Sequence, residues 1–209
     1  MFVDPRTATK LNRAIFNAIV APRPIGWIST QSESGVVNLA PFSHFNIVST
    51  APAVILFSCN TPGDRSEKDT LANVRATKEF VFNLATFDLR EAVNTTSTPA
   101  AADVDEFELA GLERAPCVNV KPPRVAASPA NLECRLLRIV EIEPEHPGDT
   151  SSNVVFGRVI GLHIRDEYLT PTGRFDTAKA QPLTRLGGTQ YAPPGTIFEM
   201  PAPFRRVGE

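Results

Sequence analysis

The sequence predicts a mainly β protein, a closed antiparallel barrel with helices packed outside it. About six segments have strand character, and tight turns or single helices join them. The longer segments alternate apolar with polar residues, as strands with one buried face do. Regular β-α-β alternation and a GxGxxG fingerprint are both missing, so the sequence does not favour a parallel dinucleotide-binding fold.

Length and composition narrow the class of protein. The 209 residues are 42% hydrophobic and 21% charged, which suits a single domain over residues 1–209 with an extended tail over residues 193–209. A formal net charge of -2 gives no general attraction to nucleic acid or anionic membrane, so neither is expected as a partner. Residues 1–16 lack a secretory signal pattern and no apolar run could span a membrane, so a cytoplasmic location is expected.

The first third of the chain predicts a helix and three strands. Thr9 is placed to cap a helix over residues 10–18. A strand over residues 24–31 ends in the turn sequence SESG, and a second strand begins at Val36, so the two form a hairpin. The run AVILFS over residues 53–58 is apolar on both faces and predicts a central strand.

The middle of the chain predicts helices that alternate with a strand. Ser66 is placed to cap a helix whose apolar stripe includes Leu71 and Val74. Asp69 follows Ser66 by three residues in a capping-box relation, and such caps contribute about 1 kcal/mol. The elements predicted next are a strand over residues 79–84, a helix over residues 87–94 capped by Asp88, and a short helical piece over residues 104–110.

Two long strands are predicted in the second half. Alternation places one apolar set of the first strand on a single face: Leu132, Cys134, Leu136, Val140 and Ile142. It does the same for a set of the second strand: Val154, Phe156, Ile160, Leu162 and Ile164. From Leu183 onward the chain is predicted to be irregular apart from a short strand.

The common catalytic motifs are missing. The sequence has no GxxxxGK[ST] loop, GxSxG elbow or HExxH helix. Its three histidines, His44, His146 and His163, are not at ligand spacing, so no metal site is expected. The three cysteines are widely spaced and form no CxxC pair, so they are interpreted as small buried hydrophobic residues.

The segment DRSEKDT over residues 64–70 allows two interpretations. A helix N-terminus with an arginine, a lysine and two hydroxyl groups suits a phosphate monoester. An ordinary capped helix with solvated charges explains the same residues, because the acidic residues of the segment dilute the positive field. The segment alone does not decide between these interpretations.

The order of motifs in the chain resembles that of the flavin reductase-like family of FMN-binding split-barrel flavoproteins. The resemblance covers roughly residues 10 to 190 and closes with RLGG over residues 185–188 and Tyr191. The earlier motifs are RPIGWIST over residues 23–30, Gly35, NLAPFS over residues 38–43, Asn46, the pair Ala51-Pro52, KDT over residues 68–70 with Asn73, and EFVFN over residues 79–83. This resemblance implies an antiparallel Greek-key split β-barrel, a homodimer and bound FMN, with FAD less expected.

The resemblance also implies a site. The isoalloxazine ring would lie along Ala40, Pro41, Phe42, Ser43 and His44, with Ser58 and Asn60 at the far end of the next strand. Arg65, Ser66, Lys68 and Thr70 would hold the phosphate. A strand broken by proline supports this assignment independently, because it leaves backbone amides that no ladder uses.

Three residues have a structural interpretation beside the functional one. Trp27 could stack near the flavin, but a lone tryptophan in a strand is more often part of the core or of a dimer interface. His44 could act at the ring or be a hydrogen-bonded structural histidine. His163 is the candidate for catalysis, and it would face away from Ile160 and Ile164 if the alternation holds.

The resemblance therefore implies an oxidoreductase that takes hydride from NAD(P)H onto FMN and passes electrons to free flavin, a partner monooxygenase or another acceptor. Such an enzyme requires no acid-base pair, because the flavin does the chemistry. Two alternatives stay open. One is an FMN-binding electron carrier like a flavoredoxin, without a nicotinamide site, and the other is a barrel that has lost its flavin and acts through dimer contacts.

Overall fold

The elements below come from a computed structural model that describes residues 2–4, 12–61, 67–145 and 150–201. The strands in this part of the chain are β1 (Arg23–Pro24), β2 (Gly26–Gln31), β3 (Val37–Phe42), β4 (Phe45–Thr50), β5 (Ala53–Asn60), β6 (Glu79–Leu84), β7 (Arg114–Ala115), β8 (Arg124–Val125), β9 (Ala130–Ile142), β10 (Ser152–Ile164), β11 (Thr184–Arg185) and β12 (Tyr191–Ala192). The α-helices are α1 (Asn12–Ile19), α2 (Asp69–Thr77), α3 (Arg90–Thr95), α4 (Glu106–Leu109) and α5 (Thr177–Ala180).

Seven strands form one sheet in the order β3-β2-β6-β9-β10-β5-β4, and every neighbouring pair is antiparallel. The two end strands, β3 and β4, follow each other in the chain through a corner at Ser43 and His44. Across this corner the Phe42 ring packs on the Phe57 ring of β5, with centroids 5.0 Å apart. The sheet therefore curls until its ends meet, which confirms the predicted split barrel.

Two apolar clusters pack on the two faces of the sheet. The first fills the barrel and includes Phe57, Phe80 and Cys134, all fully buried. The second lies between the outer face of β2 and β3 and the helices α3 and α4, and it contains Trp27 and Phe107. Trp27 is completely buried and donates from Nε1 to Thr96 Oγ1 at 2.9 Å, so its interpretation as a core residue is confirmed.

Two glycines let aromatic rings approach the backbone. A Cβ atom on Gly26 would lie 2.5 Å from Cδ2 of Phe45, and one on Gly157 would lie 2.1 Å from Cζ of Phe80. Distances this short are never reached by real side chains, so only glycine fits both positions. The first contact fixes the position of β4 at the corner, because the Phe45 ring also stacks on Phe82 with centroids 4.8 Å apart.

Most predicted strands are confirmed, and β6 has the predicted bounds. The strand predicted over residues 24–31 is split into β1 and β2. The separate strand β4 was not predicted, since its side chains are mostly exposed and follow no simple alternation. The last part of the chain is more ordered than predicted, because β1, β11 and β12 form a small sheet.

The predicted helix caps need correction. Helix α2 begins at Asp69 behind Lys68, which makes no side-chain capping bond, and the predicted cap Ser66 lies outside the described residues. Helix α3 begins at Arg90 behind Leu89, not behind Asp88, because Leu89 packs against the outer apolar cluster. Thr9 also lies outside the described residues, and α1 runs from Asn12 to Ile19.

The predicted buried face of β9 is correct as far as Leu136 and wrong beyond it. That of β10 is wrong from its start, because Asn153 and Val155 are buried rather than Val154. Register shifts between Phe156 and Gly157 and between Val159 and Gly161 insert unpaired residues into the ladder. Each bulge reverses the side on which the following residues lie. Val155, which precedes both shifts, is fully buried, whereas Leu162 is 63% exposed.

No helix in the described part of the chain is long and apolar enough to cross a membrane.

Candidate functional site

The corner between β3 and β4 is the first part of the candidate site. Pro41 is half-buried at the end of the terminal strand β3, and Phe42 is buried in the barrel cluster. The His44 carbonyl accepts a hydrogen bond of 2.8 Å from the Ser58 N–H, which ties the corner to β5. The ring residues predicted from sequence, Ala40 to His44, thus lie together with Ser58.

Lys68 connects this corner to helix α2. Its Nζ lies 5.5 Å from the centre of the Phe42 ring, and the residue itself precedes the first helical residue, Asp69. The first turn of a helix presents N–H groups and the positive end of the helix dipole. A lysine charge, a helix N-terminus and an apolar ring therefore meet at one place, as an aromatic ligand that carries a phosphate requires.

The other predicted cofactor-binding residues, for the phosphate and at the end of β5, differ in their placement. Arg65 and Ser66 lie outside the described residues. Thr70 is 1% exposed, and its Oγ1 accepts a hydrogen bond of 2.9 Å from Asn38 Nδ2, so the hydroxyl belongs to a buried contact. Asn60 is exposed at the end of β5, where its Oδ1 accepts from Ser152 Oγ at 2.8 Å.

His44 lies at the outer side of the corner. Its Nε2 is 3.4 Å from Asn17 Oδ1 of helix α1. Partial burial lowers the pKa of His44, and the nearby charge of Arg23 lowers it further. The neutral imidazole is therefore favoured near the proposed ring position.

His163 lies elsewhere on the sheet. Direct pairing runs from His163 through Asn131, Asn83 and Trp27 to Pro41, which spans four strand spacings. At about 4.8 Å for each spacing, His163 is about 19 Å from Pro41 along the sheet. Within one subunit, His163 contacts Glu133 of β9 rather than a residue of the corner.

His163 instead belongs to a polar cluster that the sequence did not predict. Cys117, Glu133 and His163 place their sulfur, oxygen and nitrogen atoms within 4.8 Å of one another, a set that could hold a metal ion. The Glu133 carboxylate, however, already accepts hydrogen bonds from the Val118 and Asn119 N–H groups, both at 2.7 Å, and from His163 at 2.6 Å. These bonds tie the segment before β8 to the sheet, and no sequence spacing indicates them.

Together these features define a class, the split β-barrel proteins with a polar corner beside a helix N-terminus. Comparison with known families then identifies the chain, which belongs to the family of the flavin reductase like domain, whose model matches residues 20–182.

Individual relatives agree with this placement. An uncharacterized protein of Aquifex aeolicus is 37% identical over 173 residues, which is 83% of this chain and 85% of that protein. The structure of nitrilotriacetate monooxygenase component B from Bacillus cereus is 27% identical, with a TM-score of 0.89 over 96% of this chain and 98% of that one. The 2-nitrobenzoate 2-nitroreductase of Pseudomonas fluorescens shares the fold, with 23% identity and a TM-score of 0.83 over the whole of both chains.

Proposed function

We propose that this protein binds FMN non-covalently and acts as an NAD(P)H-dependent flavin reductase. The observation that carries the proposal is the position of Lys68, whose Nζ lies 5.5 Å from the Phe42 ring centre at the N-terminus of α2. This contact joins a cationic end suited to a phosphate with a corner suited to an aromatic ring. Membership of the flavin reductase like domain family supports the same ligand.

At the phosphate end, Lys68 would provide the charge. The first turn of α2 would add backbone N–H groups, and Arg65 and Ser66 complete the set that the sequence predicts. Because the Thr70 side chain is buried and bonded to Asn38, we assign the contact at this position to the backbone of Thr70.

At the ring end, the chain would position and shield the cofactor. Ala40 and Pro41, both half-buried, would offer apolar surface, while Ser43 and the backbone around the corner would offer polar groups. When bound, FMN supplies the capacity to accept hydride from a reduced nicotinamide, and the protein supplies orientation and electrostatics. Among the described residues of the corner there is no acid-base pair, which is compatible with this division of work.

The electron acceptor that we propose is free flavin or a partner monooxygenase. The similar protein of Bacillus cereus is named as component B of a monooxygenase, which supports a two-component arrangement. An electron carrier without a nicotinamide site is the alternative, and reduced nicotinamides would leave its bound flavin oxidised.

We also propose a homodimer. Strand β4 ends the main sheet, and its Ile47 side chain is 61% exposed. Leu162 of β10 is 63% exposed beyond the last residue that pairs with β5. Exposed apolar side chains at uncovered strand edges favour burial against a second copy.

Light scattering after gel filtration tests the homodimer and should give twice the chain mass. Leu162→Asp should give a monomer, whereas Val118→Asp, at an exposed loop position, should not.

The spectrum of the purified protein tests the cofactor. We expect flavin absorbance bands, and heat should release a chromophore that co-elutes with FMN in chromatography. Stopped-flow mixing with NADH and then NADPH should bleach the bound flavin. A colourless protein that gains no flavin absorbance on titration with FMN would overturn the proposal, and a flavin that both nicotinamides leave oxidised would favour the electron carrier.

A further inference from the structure

Two arginines face each other directly across the small sheet. Arg23 of β1 and Arg185 of β11 are partners in the antiparallel pair. Directly opposite residues have their Cβ atoms about 5 Å apart, and like charges in this position destabilise a sheet. The pair therefore requires a compensating interaction.

The described part of the chain offers backbone oxygens but no carboxylate to this pair. Arg23 donates from Nη1 to the carbonyls of Asn17 and Val20 and from Nη2 to that of Leu186 at 3.1 Å. Arg185 donates to Tyr191 Oη and to the Gly188 carbonyl, and its guanidinium lies 4.3 Å from the Tyr191 ring centre. Among the described residues, no Asp or Glu forms an ion pair with either arginine.

Burial makes this positive charge costly. Arg23 is only 9% exposed, and its Nε has neither a hydrogen-bond partner among the described residues nor contact with solvent. Burial lowers the pKa of Arg23, and the charge of Arg185 lowers it further. A buried charged group is normally paired with an opposite charge, and the described residues offer none to Arg23, which points to a function.

A second arginine pair in the same molecule is exposed, unlike the pair of Arg23 and Arg185. Arg135 and Arg158 are also direct partners, in the pair of β9 and β10, but both are exposed. Water screens their repulsion, so that pair needs no ligand. The difference lies in burial and position, not in residue type.

The buried pair lies beside the proposed ring site. Asn17 connects the two, because its carbonyl accepts from Arg23 while its Oδ1 is 3.4 Å from Nε2 of the exposed His44. His44 follows directly on the corner residues Phe42 and Ser43. Arg185 in turn pairs with Arg23 across the small sheet, so the arginine pair is linked to His44 through Asn17.

We propose that Arg23 and Arg185 form an anion-binding subsite beside His44, which takes a phosphate or carboxylate group of the substrate that exchanges electrons with the flavin. Arg185 is the half-buried member that the anion contacts, and Arg23 fixes it from behind while it holds the end of α1. The identity of the ligand as an electron-exchanging substrate rests on the proposed function, whereas the anion site itself does not.

Calorimetric titration of the purified protein with pyrophosphate and, separately, with benzoate tests the subsite. Arg185→Gln should weaken binding of the preferred probe about tenfold, and Arg185→Lys should restore it to within about threefold. Arg158→Gln, in the exposed pair, should bind like the unaltered protein. Preference for pyrophosphate indicates a dinucleotide substrate, and preference for benzoate indicates a carboxylic acid.

Two results would overturn the subsite: neither probe binds the unaltered protein, or Arg185→Gln binds both as the unaltered protein does. Thermal melting of each variant shows whether a loss of binding reflects a loss of fold, and rescue by Arg185→Lys identifies charge as the cause. If pyrophosphate or benzoate binds but FMN does not, the proposed function fails and the anion site stands. If FMN binds and neither probe does, the anion site fails and FMN binding stands.

Discussion

His163 Nε2 lies 2.6 Å from Glu133 Oε1, and the Glu133 side chain is completely buried. Burial alone would raise the pKa of Glu133, but hydrogen bonds from the Val118 N–H, His163 and Asn119 outweigh it and lower the pKa to about 2. The carboxylate is therefore ionised inside the protein and holds the loop before β8 against the sheet.

Glu133→Gln should make the free energy of unfolding depend less on pH in the acidic range. The pKa of the Glu133 carboxyl is about 2 in the folded protein and ordinarily 4.5, so the unfolded chain binds the proton more tightly. The ionised carboxylate therefore contributes its full stabilisation above about pH 4.5. This stabilisation is lost as the pH falls toward 2. At pH 7 the variant should lose about 3 kcal/mol, because an amide places a donor against backbone N–H groups.

Circular dichroism melts from pH 7 to pH 2 measure this effect. The melting temperature of Glu133→Gln should fall less steeply below pH 4.5 than that of the unaltered protein. Glu143→Gln, at an exposed position, is the control and should follow the unaltered protein throughout. Parallel curves for Glu133→Gln and the unaltered protein would contradict the assignment.

His163→Gln should change stability more than turnover. The glutamine amide can still donate to Glu133, so the melting temperature should fall by only a few degrees, corresponding to about 1 kcal/mol. The rate of flavin reduction in a single turnover should stay within about threefold, because His163 contacts Glu133 rather than a residue of the corner. A tenfold slower reduction at an unchanged melting temperature would instead make His163 a catalytic residue.

The elements predicted correctly are those whose structure depends on residues close together in the sequence. The hairpin of β2 and β3 and the strand β6 follow from turn residues and from alternation over a few positions. The strand β4 could not be predicted in this way, because Ile47 and Val48 are exposed although apolar. Bulges also leave no clear local signal, so the face of β9 was misassigned beyond Leu136. In β10 the wrong face was chosen already at Val154 and Phe156, because that strand is apolar on both faces there.

The same distinction applies to the candidate site, where residues in short motifs were predicted and contacts between distant segments were not. Lys68 and the corner from Ala40 to His44 were predicted, because each lies in a short motif that a family resemblance identifies. The pairs of Glu133 with His163 and of Arg23 with Arg185 depend on strand register between distant segments. Only the folded sheet brings such residues together, so their relations could not be inferred from sequence spacing.

Gly157→Ala should destabilise the barrel. The added Cβ would lie 2.1 Å from Cζ of Phe80, which is fully buried and packs edge to face on Phe57 with centroids 5.2 Å apart. Overpacking of this kind costs about 2 kcal/mol, or about 6 °C in melting temperature. Gly195→Ala, with no atom within 4 Å of its new Cβ, should melt like the unaltered protein, and equal melting of both variants would refute the close contact.

Lys68→Ala should weaken FMN binding about tenfold or more while riboflavin binding stays unchanged. Riboflavin has the same ring but no phosphate, so only a residue that contacts the phosphate distinguishes the two ligands. A charge-assisted contact of lysine with phosphate contributes about 2 kcal/mol, more than the 1.4 kcal/mol that a tenfold change requires. Quenching of flavin fluorescence during titration measures both affinities. Lys121→Ala removes a second exposed lysine away from the corner and should alter neither. If Lys68→Ala weakened both ligands equally, Lys68 would support the ring through Phe42 and the phosphate would have to bind elsewhere.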